Sequence, residues 1–123
     1  MIEGGCFCRK VRYAFEQGDY LVVNCHCTMC RKTSAAPFVT WVIMPKNNFN
    51  FTSDEPAVLE SSNKGKRHFC RNCGTPLVFE SSERTEQMDI TTCSLDDPEA
   101  WPPTEDAYTE TRLDWLAHTG IEK

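Results

Sequence analysis

Short runs of alternating residues dominate the chain. Between residues 11 and 15, Val11, Tyr13 and Phe15 recur at every second position, which is the period of a β-strand with one buried face. Residues 37–45 interleave two largely apolar sets between flanking prolines, a pattern typical of a central strand that is covered on both faces. Similar short runs lie at residues 20–24, 49–53, 57–62, 66–70, 76–82 and 87–94. The pattern predicts an all-β domain of several small sheets, with a turn or two of helix within residues 27–36 and another short turn within 95–100.

The bulk properties fit one globular domain. A chain of 123 residues without internal repeats suits a single domain over residues 1–123 with one modest core. The net charge of −5 argues against attraction to nucleic acid or to an anionic membrane. The N-terminus lacks the features of a secretory signal, so we expect a cytoplasmic protein. Residues 108–120 have an amphipathic pattern that can dock on this domain or on a neighbour, so the oligomeric state stays open.

The chain has 8 cysteines, which is many for its length. Because cytoplasmic thiols are kept reduced, closely spaced cysteines in such a protein are more often metal-binding or catalytic than disulfide-bonded. A disulfide framework is the alternative. It fits poorly here, since neighbours such as Cys6 and Cys8 are too close in sequence to pair without strain.

Two cysteine pairs have the spacing of one closed metal site. Cys6 and Cys8 lie two residues apart, so on an extended chain both sulfurs point to the same side. Cys70 and Cys73 have the C-x-x-C spacing of a zinc knuckle, followed by Gly74, which permits a backbone turn with positive φ. Neither pair alone completes a tetrahedron. Together they predict a structural four-cysteine zinc site that closes a loop of roughly sixty residues.

Three further cysteines, Cys25, Cys27 and Cys30, lie close enough in sequence to converge on one ion. Three protein ligands with a vacant position are typical of a catalytic or ligand-binding zinc, whereas four are typical of a structural one. The sequence therefore predicts a second zinc with an open position at these three residues.

Other interpretations of the three cysteines stay open. The site can be closed by His26, His68 or Cys93. The first of these points away from its neighbours on an extended chain, and the second is expected to pack in a strand. A solitary cysteine in a strand pattern is usually a small core residue, which is the expectation for Cys93. An iron–sulfur cluster is a weaker interpretation of the three cysteines, because their spacings differ from those of known cluster motifs.

Four segments of the sequence resemble one known family in order and spacing. The segments "GGCFC", "CHCTMCRKTSAAPF", "FCRNCGTPL" and "SLDDPEAWP" are similar to those of the glutathione-dependent formaldehyde-activating (GFA) family, which includes centromere-protein-V-like domains. The resemblance implies a zinc-pinned β-tent fold and two zinc ions per chain. It implies a structural zinc on four residues and a second zinc on three, namely Cys6, Cys8, Cys70 and Cys73, and Cys25, Cys27 and Cys30. Some positions depart from the family pattern, among them Arg9 and Ala35, where glycine is common.

The family resemblance also implies a substrate class. Its named activity joins glutathione to formaldehyde, so we expect a carbon–sulfur lyase-type enzyme with its catalytic centre at the open zinc. Glutathione carries two carboxylates and one ammonium, and the candidate carboxylate partners are Arg31, Lys32 and Arg67, with Lys66 and Arg71 nearby. Each can instead be a solvated cation. A glutathione carrier, or a zinc-stabilised protein-interaction module, is the alternative function.

Overall fold

The computed structural model describes residues 1–118 and confirms the all-β prediction. Within this part of the chain there are ten strands and one α-helix. The strands are β1 Ile2–Gly5, β2 Arg12–Phe15, β3 Leu21–Cys25, β4 Val39–Pro45, β5 Phe49–Phe51, β6 Ala57–Glu60, β7 Gly65–Phe69, β8 Pro76–Ser81, β9 Gln87–Thr91 and β10 Glu105–Ala107, and the helix is α1 Thr28–Ser34.

The strands form two sheets of unequal size. The small sheet has the order β1-β2-β5, and the large sheet has the order β10-β3-β4-β9-β8-β7-β6. Neighbouring strands are antiparallel except β10, which runs parallel to β3 at the edge of the large sheet. Strand β4 lies between β3 and β9, so the prediction of a central strand at residues 37–45 is confirmed.

The main core fills the space between the two sheets. Aromatic side chains at alternate positions of the small sheet point into it, as the spacing of Tyr13 and Phe15 predicts. They meet one face of the large sheet, where Val22, Val42, Ile90 and Val78 lie directly opposite one another on β3, β4, β9 and β8.

The other face of the large sheet carries the alternate residues. Here Leu21, Ile43, Asp89, Phe79 and Arg67 lie opposite one another on successive strands from β3 to β7. Because side chains alternate between the two faces of a strand, this row points away from the main core. A second apolar cluster covers part of this face, and it includes Trp41 on β4.

Helix α1 follows β3 directly and is short because both of its ends are fixed locally. Cys27 is the N-cap, and its Sγ accepts a hydrogen bond from the Cys30 backbone N–H at 3.2 Å. Ala35 ends the helix in the left-handed conformation, with φ of 51°. That conformation favours glycine, so the alanine at this position carries a backbone strain of roughly 1 kcal/mol.

The end of the chain packs as short turns. Two 3₁₀ turns, Thr109–Thr111 and Asp114–His118, follow β10, and Leu116 is buried. Residues 119 and 120 of the predicted amphipathic stretch lie outside the described residues. No helix among residues 1–118 has the length and apolar character needed to cross a bilayer.

Candidate metal centres and the adjoining cleft

The four-cysteine centre brings together the two predicted cysteine pairs. Cys6 and Cys8 lie in the turn between β1 and β2, and Cys70 and Cys73 lie in the turn between β7 and β8. All four sulfurs lie within 4.8 Å of one another, with 3.5 Å between Cys6 and Cys8 and 3.7 Å between Cys8 and Cys70. Four sulfurs around one zinc at about 2.3 Å would be separated by about 3.8 Å. The geometry therefore fits a tetrahedral metal ion that joins the small sheet to the large one.

Backbone N–H groups support the sulfurs of this centre. The Sγ atom of Cys70 accepts hydrogen bonds from Asn72 and Cys73 at 3.3 and 3.4 Å, and Gly74 has the predicted positive φ, 85°. The turn between β1 and β2 has a similar hydrogen bond, in which Cys6 Sγ accepts from the Val11 N–H at 3.3 Å. Donors aimed at sulfur stabilise a thiolate, which is the form that binds metal. In this turn Arg9 has a φ of 71°, which explains why glycine suits its position.

The cysteine triplet comprises Cys25, Cys27 and Cys30, whose sulfurs also lie within 4.8 Å of one another. Cys25 ends β3, Cys27 caps α1 and Cys30 sits in the first turn of that helix. The sharp change from strand to helix turns the three sulfurs toward a common point. Among the side chains that the structure describes, no fourth cysteine, histidine or carboxylate joins this group.

Hydrogen bonds within the triplet favour one thiolate. A hydrogen bond from the Cys25 thiol lowers the pKa of Cys30 to about 5, and Cys27 and Arg67 act in the same direction. The same contact, together with burial, raises the pKa of Cys25 far above its ordinary value. Negative charge therefore concentrates at Cys30, beside an arginine, and this is a donor set that a cation would complete.

The three residues considered as closing ligands for the triplet lie elsewhere. The Nε2 atom of His26 pairs with Asp106 Oδ1 at 2.7 Å, and His68 pairs with Glu80 at 2.6 Å on the opposite face of the sheet. Cys93 lies in a 3₁₀ turn after β9 and is exposed. The expectation that Cys93 is a core residue is therefore wrong, because the strand ends at Thr91 and the chain turns outward.

The triplet lies at one end of a cleft on the free face of the large sheet. This large-sheet cleft has a volume of about 850 Å³, and the three cysteines line it together with Trp41, Ile43, Phe79, Arg67, Asp89 and Arg84. The strands β3 and β4 supply mostly apolar side chains, while most of the charged ones come from β7, β9 and the turns before these two strands. One wall of the cleft is thus apolar, and the other carries paired charges.

Arg67 is the basic residue that the structure brings to the triplet. It is buried, and its Nη2 atom lies 4.0 Å from Cys30 Sγ. Two contacts fix its position: the guanidinium carbon lies 4.6 Å from the centre of the Phe79 ring, and Nε donates to Ser61 Oγ at 3.2 Å. A buried arginine held in this way is preorganised to meet an anion at the end of the cleft where the triplet lies.

The other basic candidates lie away from this point. Arg31 and Lys32 follow Cys30 on α1 but line a separate groove beside Trp115. Lys66 lines a different groove, and Arg71 donates to the Pro56 carbonyl oxygen. The helix turns by about 100° per residue, so the two residues after Cys30 cannot share its side.

The ion pair between Arg84 and Asp89 is a feature of the cleft that sequence reasoning missed. Asp89 is buried on β9, and Arg84 donates to both of its carboxylate oxygens, at 3.1 and 2.8 Å. No local signal marks the pair, because polar residues alternate with Met88 and Ile90 across residues 87–91, which is the pattern of a strand with one face toward solvent.

The fold and the sites define a class of protein. It is a small β protein with two different cysteine centres, one with four sulfurs and one with three sulfurs at the end of a cleft. Residues 1–111 match the family model described as glutathione-dependent formaldehyde-activating enzyme. The chain belongs to this GFA family.

Individual relatives are more distant. The chain is 32% identical over 85 residues to "Uncharacterized lyase C29B12.13" of Schizosaccharomyces pombe, covering 63% of this chain and 56% of that one. It is 32% identical over 63 residues to "Protein SprT" of Pseudomonas savastanoi, covering 51% of this chain and 37% of that one. The chain thus spans about half or less of the length of these curated relatives. A crystal structure of a Rhodobacter sphaeroides protein shares the fold, with a TM-score of 0.70, 17% identity and coverage of 86% of this chain and 100% of that one.

Proposed function

We propose that the chain is a zinc-dependent carbon–sulfur lyase-type enzyme that adds glutathione, or a similar thiol, to formaldehyde or another small aldehyde. The observation that carries this proposal is the cysteine triplet at the end of a large cleft, facing the buried Arg67. Membership of the GFA family supports the substrate class. The name of the Schizosaccharomyces pombe relative, a lyase, supports the reaction class. We place the protein in the cytoplasm, because this chemistry needs reduced thiols and cytoplasmic thiols are kept reduced.

The two cysteine centres have different roles in this proposal. Four thiolates suit a closed structural zinc, and three thiolates suit a zinc with a position left for substrate. Cys25, Cys27 and Cys30 would hold the second zinc, which would supply the positive charge that keeps an incoming thiol deprotonated at neutral pH. All other contributions come from the side chains that line the large-sheet cleft.

The reaction moves charge onto one oxygen atom. The thiol sulfur forms a bond to the aldehyde carbon, the carbonyl π electrons move to oxygen, and the proton lost by the thiol ends on that oxygen. The Arg67 guanidinium can donate to the developing alkoxide or to a carboxylate of the thiol, and its contacts with Phe79 and Ser61 hold it ready. Trp41 and Phe79 line this end of the cleft with apolar surface, and confinement of the two reactants supplies much of the rate gain.

A first experiment tests whether the triplet binds the thiol. We expect Cys27→Ser to abolish glutathione binding, measured by calorimetry on zinc-loaded protein, while the circular dichroism spectrum stays that of the unmodified chain. Cys93→Ser is the matched control, because this exposed cysteine lies outside the cleft. Retained glutathione binding in Cys27→Ser would contradict the proposal.

A second experiment separates an enzyme from a carrier. Formation of the thiol–aldehyde adduct should be followed by NMR with protein at a concentration near that of glutathione, because the reaction also proceeds unaided. We expect a rate above the uncatalysed one. An unchanged rate with intact glutathione binding would reject the enzyme and leave the carrier.

Arg67 has a test of its own. A hydrogen bond to a charged group contributes about 1.5–3 kcal/mol, so Arg67→Met should lower kcat/KM by roughly 10- to 100-fold. Lys66→Met is the control, since the neighbouring lysine is exposed and lines another groove. Equal activity of the two variants would exclude a role for Arg67.

A further inference from the structure

The Arg84–Asp89 pair occupies an unusual place for an ion pair. Asp89 lies in the interior of the large sheet, with Ile43 and Phe79 as its cross-strand neighbours. Only 8% of its surface is exposed, and Arg84 reaches it from the turn between β8 and β9. Both residues line the large-sheet cleft.

The fold has little need of this pair. Removing two charges from water costs free energy that their attraction only roughly offsets, and apolar residues of similar size often serve stability as well or better. Burial raises the pKa of Asp89, which shows the cost of keeping this carboxylate charged, and the Arg84 guanidinium opposes that shift. The neighbours Ile43 and Phe79 would accommodate an apolar side chain. A charged pair maintained on the floor of a cleft therefore points to a ligand.

The charges of Asp89 and Arg84 are complementary to those of a zwitterion. An aspartate accepts hydrogen bonds from an ammonium group, and an adjacent arginine donates to a carboxylate. The γ-glutamyl end of glutathione carries both groups on one carbon atom. The Nη1 atom of Arg84 also donates to Gln87 Oε1 at 3.2 Å, which fixes the side chain and leaves its remaining N–H groups for a ligand.

The distance from the triplet to the Arg84–Asp89 pair also fits the length of glutathione. Cys25 lies opposite Val39 on β4, and Asp89 lies opposite Ile43, four positions further along the same strand. Four positions of a strand span about 13 Å, and two strand spacings from β3 across β4 to β9 add about 10 Å at right angles, so the α-carbons of Cys25 and Asp89 lie roughly 16 Å apart. Seven bonds separate the sulfur of glutathione from its γ-glutamyl α-carbon, an extended span of roughly 9 Å. A substrate sulfur that shared a zinc with the triplet would lie about 3.8 Å from its sulfurs, and a hydrogen bond adds about 2.9 Å at the other end. The total of roughly 16 Å matches the separation between the triplet and the pair.

We infer that Asp89 and Arg84 bind the zwitterionic end of the thiol substrate, with Asp89 accepting from its α-ammonium and Arg84 donating to its α-carboxylate. This inference rests on the proposed function and assigns the direction in which the thiol lies: sulfur at the triplet, γ-glutamyl group at the far end. Arg67 then faces the part of the substrate near the sulfur.

A ligand that lacks one group tests this assignment. Glutaryl-cysteinylglycine differs from glutathione only by loss of the α-amino group. We expect calorimetry on the zinc-loaded protein to show that the unmodified chain binds this analogue roughly 10- to 100-fold more weakly than glutathione. In Asp89→Asn the two ligands should bind within about threefold of each other, because the neutral amide lacks the negative charge that attracts the ammonium.

A second variant gives a different signature. Arg84→Gln should weaken both ligands by a similar factor, since both carry the α-carboxylate, and so it serves if Asp89→Asn does not fold. Glu80→Gln is the control for loss of an ion pair: Glu80 pairs with Lys46 and His68 on the opposite face of the sheet and does not line the cleft. It should preserve the discrimination.

The outcomes separate the two proposals. Two outcomes would overturn the role of the pair and leave the proposed function intact. In one, the unmodified chain binds glutathione and glutaryl-cysteinylglycine equally well; in the other, Asp89→Asn still prefers glutathione as strongly as the unmodified chain does. Failure of the unmodified, zinc-loaded chain to bind glutathione would overturn both.

Discussion

Loss of one ligand from each cysteine centre should reveal their different effects on stability. The four-cysteine centre joins Cys8 to Cys70, which are 62 positions apart in the sequence. The triplet spans only Cys25 to Cys30. A cross-link stabilises a fold chiefly by removing freedom from the unfolded chain, and this contribution grows with the length of the closed loop. The chain-entropy relation gives about 4 kcal/mol for the long loop and about 2 kcal/mol for the short one.

Cys70→Ser and Cys30→Ser form a matched pair for this comparison. Both side chains are buried, with 1% and 5% of their surface exposed, so the cost of a buried serine hydroxyl should largely cancel. We therefore expect Cys70→Ser to lower the free energy of unfolding by about 2 kcal/mol more than Cys30→Ser does. That difference is substantial against the roughly 5–15 kcal/mol that holds a typical domain together.

The assay is urea unfolding of reduced, zinc-saturated protein, followed by tryptophan fluorescence, with the metal content of each variant measured. Equal destabilisation of two variants that have each lost one ion would refute the loop argument. If Cys70→Ser does not fold, chelator titration of the unmodified chain provides the comparison. Release of the first ion, from the three-ligand centre, should leave the fluorescence unchanged, and unfolding that accompanies the first release would refute the reasoning.

Two further predictions concern stability. Ala35→Gly should raise the free energy of unfolding by about 1 kcal/mol, because it relieves the positive φ at the end of α1; Ala36→Gly, at a residue without a positive φ, should instead lower it, and thermal unfolding measures both. A hydrogen bond from His26 lowers the pKa of Asp106, so this pair stabilises the fold above the usual carboxyl pKa of about 3.9, and the contribution disappears as the pH falls through the lower folded value. Asp106→Asn should therefore lose less stability than the unmodified chain on acidification from about pH 5 to pH 3, measured by urea unfolding.

Local sequence spacing anticipated much of the fold and of the metal centres. The alternation at Val11, Tyr13 and Phe15 predicts a buried strand face, and the structure buries all three. The two cysteine groups that the structure brings together are those that the sequence predicts. Ligands two or three residues apart are held together by the chain itself, whereas the two pairs of the four-cysteine centre, 62 positions apart at Cys8 and Cys70, meet only in the folded protein. Their role as zinc ligands stays a prediction, as does the substrate.

Sequence reasoning was weaker wherever the position of a residue depends on distant strands. Cys93 follows a strand pattern, yet the strand ends two residues earlier and the cysteine is exposed. Arg31 and Lys32 are the nearest cations to the triplet in sequence, but they line another groove. Arg67, which lies 37 positions from Cys30 in the chain, is the cation beside its sulfur.

The amino-acid sequence by itself determined the strand periodicity, the cysteine triplet, the two separate cysteine pairs and the segments that resemble the GFA family, because each depends on residues that are close in the chain. Only the tertiary structure decided which charged groups share the cleft with the triplet. The row Ile43, Asp89, Phe79 and Arg67 exists because four strands pair in one register, and a shift of one residue in any strand would turn its side chain to the other face. Register across a sheet is a property of the whole packed chain, so no local pattern contains it.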